Sequence, residues 1–238
     1  MSIGLVVGAT GGIGGACAVA LAGSVIRMVV TGRNESKLAA IAGEVGANAV
    51  PVIADVGTDE GRAAILAQLN DDELRWVVIA SGAPLRGALA ELDPAAIVET
   101  YQSNLIGPTL LLRALSDVRW STPASVAIIG SISATRSIAR RSVYAASKAG
   151  LERLAMSLAA EWAPRGVRIS VVAPGIIATP FLGGDQSRLD GWVKERVPSG
   201  RTGTSAEVAE VVRYVVLDAP DYLIGARIAV DGGMEATA

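Results

Sequence analysis

Histidine is absent from the 238-residue chain, and cysteine occurs once, as Cys17. These two gaps remove Ser-His-Asp and Cys-His catalysis, HExxH zinc sites and CxxC redox pairs together. No internal disulfide can form, which fits a reducing compartment such as the cytoplasm. No metal centre is expected. Any chemistry must use Tyr, Ser, Lys, Arg or carboxylates, with a borrowed cofactor for what those groups cannot do.

Charge is sparse as well. Charged residues make up 18% of the chain and the net charge is -2, against 51% apolar residues. That balance describes a soluble globular protein and favours neither disorder nor a nucleic-acid partner. The stretch from Met1 to Ile26 has no charge at all. It lacks the basic start of a leader peptide, and glycines at 4, 8, 11, 12, 14, 15 and 23 interrupt any membrane helix. A buried strand, a glycine turn and a buried helix account for it, and no membrane contact is expected.

No linker, charge block or repeat divides the sequence, and its length suits one domain spanning 1–238. Short β-branched runs alternate with longer helical patterns. The strands are expected at Ile3–Val7, Val25–Thr31, Ala49–Ile53, Trp76–Ala80, Ser125–Gly130, Arg168–Ala173 and Arg227–Val230. Helices are expected at Gly14–Leu21, Ser36–Gly43, Thr58–Gln68, Pro94–Leu115, Val143–Trp162 and Ser205–Leu217. The pattern predicts an α/β, doubly wound parallel sheet of about seven strands with helices on both faces. One long segment, about 179–203, has no clear periodicity; it reads as a substrate lid, with an ordinary surface excursion as the alternative.

The run Gly8-Ala9-Thr10-Gly11-Gly12-Ile13-Gly14 leaves the first strand and opens a helix. In that context, glycines let backbone amides approach a dinucleotide pyrophosphate. It satisfies two glycine spacings at once, so the loop alone does not choose a branch of dinucleotide-binding proteins. The second strand ends Thr31-Gly32-Arg33, where an NAD site would place an acidic residue on the ribose hydroxyls. Arg33 instead suits a 2′-phosphate, which predicts NADP(H); Lys37 is the reserve for that role.

Tyr144-Ala145-Ala146-Ser147-Lys148 begins a helical pattern, so Tyr144 and Lys148 share a face. A free phenol titrates near pH ~10, and a neighbouring ammonium lowers that value toward neutrality. Ser131 lies thirteen residues before Tyr144, and Asn104 sits in Gln102-Ser103-Asn104-Leu105-Ile106-Gly107. Ala54-Asp55-Val56, the segment Val172 to Pro180 and the tail Ile224 to Gly233 complete an ordered series. With these residues the chain resembles the short-chain dehydrogenase/reductase family over essentially its whole length, and specifically its simple reductase branch, similar to 3-oxoacyl-[acyl-carrier-protein] reductases.

The resemblance implies a single-domain Rossmann-type fold and a catalytic set of Asn104, Ser131, Tyr144 and Lys148. Tyr144 would exchange a proton with the substrate oxygen, Lys148 would hold the nicotinamide ribose, and Ser131 would position the carbonyl. Asn104 would support a water-linked proton path. Ser133 competes for the serine role. The implied cofactor contacts are Gly8, Thr10, Gly11, Gly12, Ile13, Gly14, Arg33, Asp55, Val56, Ala80, Ser81, Gly82, Tyr144, Lys148, Pro174, Gly175, Ile177 and Thr179. Three departures touch the cofactor floor: Ile79-Ala80-Ser81-Gly82 replaces the family's Asn-Asn-Ala-Gly, Ser170 replaces a common Asn, and Val7 replaces a Thr.

The function implied is an NADP(H)-dependent oxidoreductase acting on a small carbonyl or alcohol substrate. A catalytically silent sensor or scaffold on the same fold is the rival reading, against which the intact Asn/Ser/Tyr/Lys set speaks. Arg136, Arg140 and Arg141 crowd between Ser131 and Tyr144, which suggests an anionic or thioester-linked substrate, with surface ion pairs as the equal alternative. Phe181, Leu182, Leu189 and Trp192 would give the lid an apolar wall. Small residues Ala145, Ala146, Ala149 and Ala155, with the family's habit of helix pairing, imply a homotetramer or homodimer.

Overall fold

The structure, a computed structural model, describes residues 2–69, 72–179, 182 and 186–237, with 186–190 described as backbone only. Seven runs rich in Val and Ile form strands: β1 Ser2–Val7, β2 Arg27–Gly32, β3 Ala49–Ile53, β4 Glu73–Ile79, β5 Trp120–Ile129, β6 Val167–Pro174 and β7 Arg227–Val230. All adjacent pairs are parallel, in the order β3-β2-β1-β4-β5-β6-β7. The helices are α1 Gly12–Ala20, α2 Glu35–Val45, α3 Asp59–Leu66, α4 Pro94–Tyr101, α5 Gly107–Leu115, α6 Ser142–Trp162, α7 Gln186–Arg196 and α8 Ser205–Arg213.

Period-two alternation along the strands sorts the core into two layers. Leu5, Val7, Val77 and Ile128 pack with Ile65 of α3, Leu111 of α5 and Leu151 and Trp162 of α6. Val6, Val30, Val78 and Ala127 face the other way, against Cys17 of α1, Leu38 of α2 and Val208 and Val212 of α8. Apolar side chains on both faces explain why the strands read as continuous hydrophobic runs rather than alternating ones. Burial pushes the Cys17 thiol up to about 12, so it behaves as an inert packing residue.

The sheet winds in opposite directions from the neighbouring strands β1 and β4, so a crevice opens beyond their C-terminal ends. Two glycines make that crevice possible. Gly8 has φ +87°, and a side chain there would stand 2.7 Å from the Ser81 backbone nitrogen. At Gly14 a Cβ would sit 2.2 Å from the Gly8 carbonyl oxygen, so only glycine lets α1 approach the loop this closely.

The expected helix Pro94–Leu115 is helical throughout, but α4 and α5 are joined by a π-turn over Gln102–Ile106, with Gly107 N–H donating to the Gln102 carbonyl. Pro108 is the local reason. It has no N–H to give to the Asn104 carbonyl four residues earlier, and the ladder widens there. The segment 179–203 also differs from the sequence expectation, since it contains α7. No described helix is long and apolar enough to cross a membrane.

Candidate active site

One cavity of about 600 Å³ occupies the crevice. Its floor is Gly11, Gly12, Ile13 and Gly14 from the α1 start, and its sides are Ala80, Ser81 and Gly82 after β4 and Pro174, Gly175, Ile177 and Thr179 after β6. Ser131, Tyr144 and Lys148 close its inner end. Gly8, Thr10, Arg33, Asp55, Val56 and Asn104 do not line it. Gly8 shapes the loop from behind, while Arg33 and Asp55 form an exposed ion pair at 3.4 Å.

The floor suits a dinucleotide on three grounds. The N-terminus of α1 has no side-chain cap, leaving its first amides for an anion. Gly12 would carry its Cβ 2.6 Å from the Thr179 methyl, so the two walls of the slot meet only over a glycine. The Ser81 hydroxyl is buried without a hydrogen-bond partner, a polar group in need of a ligand. A Cβ at Gly32 would approach Thr10 Oγ1 to 2.6 Å, and no acidic side chain stands at that place.

Tyr144 and Lys148 lie one turn apart on α6, both buried, as the i,i+4 spacing requires. Burial raises the Tyr144 phenol above its ordinary value, a hydrogen bond with Ser131 and the charge of Arg141 act downward, and Glu152 adds to the rise. Ser133 also lines the cavity, but Ser131 is the serine bonded to Tyr144; its Oγ accepts the Ser133 N–H at 3.1 Å. The sequence reading gave the lowering of the phenol to Lys148. In the folded site Ser131 and Arg141 supply it, while Lys148 donates to the Ile129 carbonyl at 2.9 Å. Burial brings the Lys148 ammonium down to about 8, with Glu152 opposing the fall.

Asn104 is fully buried behind these groups. Its Oδ1 accepts from Ala83 N–H at 2.7 Å, and its Nδ2 donates to the Ala83 carbonyl at 3.1 Å and to Ser147 Oγ at 3.0 Å. The side chain is thus consumed in fixing the segment after β4.

Glu152, absent from the sequence expectations, extends the same α6 face one further turn. Its Oε1 accepts the Ser131 N–H at 2.9 Å and its Oε2 takes Arg227 Nε at 2.7 Å. Arg227 also reaches Glu235 with two bonds, at 2.7 and 2.8 Å. The i, i+4, i+8 series of Tyr144, Lys148 and Glu152 was the available signal. A Cβ at Gly130 would stand 2.2 Å from Glu152 Oε1, so the carboxylate needs that glycine to pass.

The arginine expectations divide. Arg136 donates to the Met234 carbonyl, and Arg140, at φ +64°, pairs with Glu91 at 2.9 Å; both point away from the cavity wall. Arg141 lines it, as does Arg86, which no motif marked. Leu182 and Trp192 line it too, whereas Phe181 and the Leu189 side chain lie outside the described residues. Ala155 is buried in the core, leaving Ala145, Ala146 and Ala149 as the accessible small residues of α6.

A doubly wound sheet with a tyrosine and a lysine one turn apart at its switch point describes an oxidoreductase of the nicotinamide-dependent kind. Residues 8–235 match the family model described as enoyl-(acyl carrier protein) reductase. The chain is 31% identical over 240 residues to a cis-4-hydroxycyclohexanecarboxylate dehydrogenase of Sinomonas cyclohexanicum, covering 98% of this chain and 96% of that one. It is 30% identical over 234 residues to a mouse 3-oxoacyl-[acyl-carrier-protein] reductase, covering 98% and 97%. The solved structure of levodione reductase superimposes with a TM-score of 0.89 at 24% identity, covering 100% and 98%, which speaks to fold alone. The chain belongs to the short-chain dehydrogenase/reductase family.

Proposed function

We propose that this protein interconverts a ketone and a secondary alcohol with NADP(H), Tyr144 serving as general acid in reduction and general base in oxidation. The observation that carries this reading is the Ser131–Tyr144 hydrogen bond at the inner end of the cavity whose floor is the glycine loop. Two hydroxyls directed at one point can hold a carbonyl oxygen and give it a proton. The nicotinamide, when bound, supplies or takes the hydride.

Each protein group then has a defined task. Ser131 orients the carbonyl, and Glu152 fixes the Ser131 backbone. Lys148 keeps a positive charge behind Tyr144 and is placed to hold ribose hydroxyls. Asn104 fixes the strand-end segment through Ala83, and its backbone carbonyl holds the water that resupplies Tyr144 with protons. Arg33 at the tip of β2 favours the 2′-phosphate of NADP(H), since Thr10 rather than a carboxylate fills the space over Gly32. The segment 179–203, with α7, acts as a lid over the substrate. The accessible alanines of α6 and exposed Val98, Ile106 and Leu110 suit pairing with a second copy, hence a homodimer or homotetramer. The lone, buried Cys17 is consistent with a cytoplasmic protein.

The direct experiment follows oxidation of NADPH and of NADH against a panel of 3-oxoacyl thioesters, cyclic ketones and oxo acids. Ketone-dependent oxidation with NADPH preferred is expected. Tight cofactor binding without turnover of any compound would instead support the sensor reading.

A further inference from the structure

Arg86, from the loop after β4, and Arg141, just before α6, meet at the substrate end of the cavity. They are close enough that Arg86 disfavours the charge on Arg141, which burial already disfavours. Several exposed arginines elsewhere have an acid beside them: Arg119 with Glu73, Arg140 with Glu91, Arg201 with Glu207 and Arg213 with Asp218. Among the described residues, neither Arg86 nor Arg141 has such a partner. Two guanidiniums that repel each other inside a cavity are relieved by an anion between them.

Arg141 sets how far such an anion lies from Tyr144. The Arg141 guanidinium carbon lies 5.7 Å from the centre of the Tyr144 ring, so an anion on Arg141 sits a short molecule's length from the oxygen that Tyr144 would protonate. The cavity is also lined by the apolar side chains of Ile132, Ile138, Leu182 and Trp192. The cavity of about 600 Å³ must also admit the nicotinamide, which leaves a compact volume for the substrate.

We propose that Arg86 and Arg141 bind a carboxylate of the substrate, and that the substrate is an oxo acid, or the corresponding hydroxy acid, whose two polar ends are separated by a compact apolar body. This rests on the reading of the cavity as a ketone/alcohol site. The planar guanidinium fork matches either a carboxylate or a phosphate, and the restricted volume selects the smaller, planar group. A carrier-linked thioester is disfavoured by the same geometry, because its phosphate lies at the far end of a long arm from the reacting carbonyl.

The test needs no turnover. Cyclohexanecarboxylate, its neutral isostere cyclohexanecarboxamide and inorganic phosphate are titrated calorimetrically into the NADP⁺-loaded protein. The carboxylate is expected to bind at least about tenfold more tightly than the amide, a gap that narrows as salt rises. Arg86→Gln and Arg141→Gln should each weaken the carboxylate about tenfold or more, while Arg140→Gln, whose arginine pairs with Glu91 outside the cavity, should stay within about twofold. Equal binding of acid and amide, indifference to both substitutions, or phosphate as the tightest of the three would overturn the assignment. Carboxylate binding without reduction of any ketone or oxo acid of the panel would support the anion site and count against the oxidoreductase reading. Reduction of neutral ketones with no preference for acids would do the reverse.

Discussion

Glu152 Oε1 accepts the backbone N–H of Ser131 at 2.9 Å, two helical turns from Tyr144, while its other oxygen holds Arg227. The carboxylate therefore ties the end of β5 to β7 behind the candidate catalytic pair. Removing one partner of a largely buried ion pair costs roughly 3–5 kcal/mol. Because Arg227 keeps its two bonds to Glu235, Glu152→Ala is expected to lose less than that in urea unfolding, about 1–3 kcal/mol for the unmet Ser131 N–H and the lost bond, and Glu152→Gln, which keeps an acceptor for Ser131, distinctly less still. Equal losses would mean that the acceptor geometry is immaterial.

Lys148 gives a pH signature. Its ammonium titrates at about 8 in the folded chain against an ordinary 10.5, so the unfolded state binds the extra proton between those values. Folding carries the penalty of a buried charge in full below about pH 8, and stability is regained as pH rises toward 10.5. Lys148→Met should therefore stabilise the cofactor-free protein near pH 6.5, by on the order of 3 kcal/mol at most and visible as a higher Tm, with the advantage shrinking by pH 9.5. A Tm difference that does not vary with pH would contradict the shift.

Arg33→Ala should weaken NADPH by about ten- to a hundredfold, toward the lower end because Arg33 is exposed and already paired with Asp55, and should leave NADH nearly unchanged. Calorimetric Kd values for both cofactors decide it. Equal loss for the two would transfer the phosphate contact to Lys37 or elsewhere.

Pro108→Ala restores an N–H opposite the Asn104 carbonyl and should favour a regular helix across Gln102–Ile106. If that carbonyl holds the water that feeds Tyr144, kcat falls while the affinity for NADPH stays constant, and the solvent deuterium effect on kcat grows. An unchanged kcat would remove the carbonyl from the proton path.

Light scattering at micromolar concentration should give the mass of a dimer or tetramer. Replacing Ala146 on the accessible face of α6 with Arg is expected to shift that mass downward. A wild-type monomer would leave the exposed Val98 and Leu110 without the partner assigned to them.

The central strands β1, β2, β4 and β6 were legible because they are apolar runs buried on both sides, and the alternation of runs with helical stretches admits few topologies. Gly8, Gly14, Tyr144 and Lys148 were legible because their spacing has a chemical reason that survives without coordinates, whereas Ser131 was legible only through the family resemblance. α7 was not, although Leu189, Trp192 and Val193, continued by Val197, recur at helical spacing: the stripe is short, Gly191 interrupts it, and charged and polar residues dominate Gln186–Arg196. The π-turn was missed although Pro108 announced it. Arg86 had no signal at all, since it reaches the cavity from a loop whose path only the fold determines. For Arg136 and Arg140 the sequence left substrate contact and surface pairing equal, because closeness to Tyr144 does not fix which way a loop side chain turns; in the fold Arg140 pairs with Glu91 and Arg136 with the Met234 carbonyl.

The central claim is that Tyr144 moves the proton, and Tyr144→Phe tests it most directly, with NADPH affinity and ketone reduction measured on the same preparation. The ring stays and only the hydroxyl bonded to Ser131 is lost, so cofactor affinity should change little while kcat falls by about 10²- to 10⁴-fold. A variant that binds NADPH normally and keeps near-normal kcat would contradict the account.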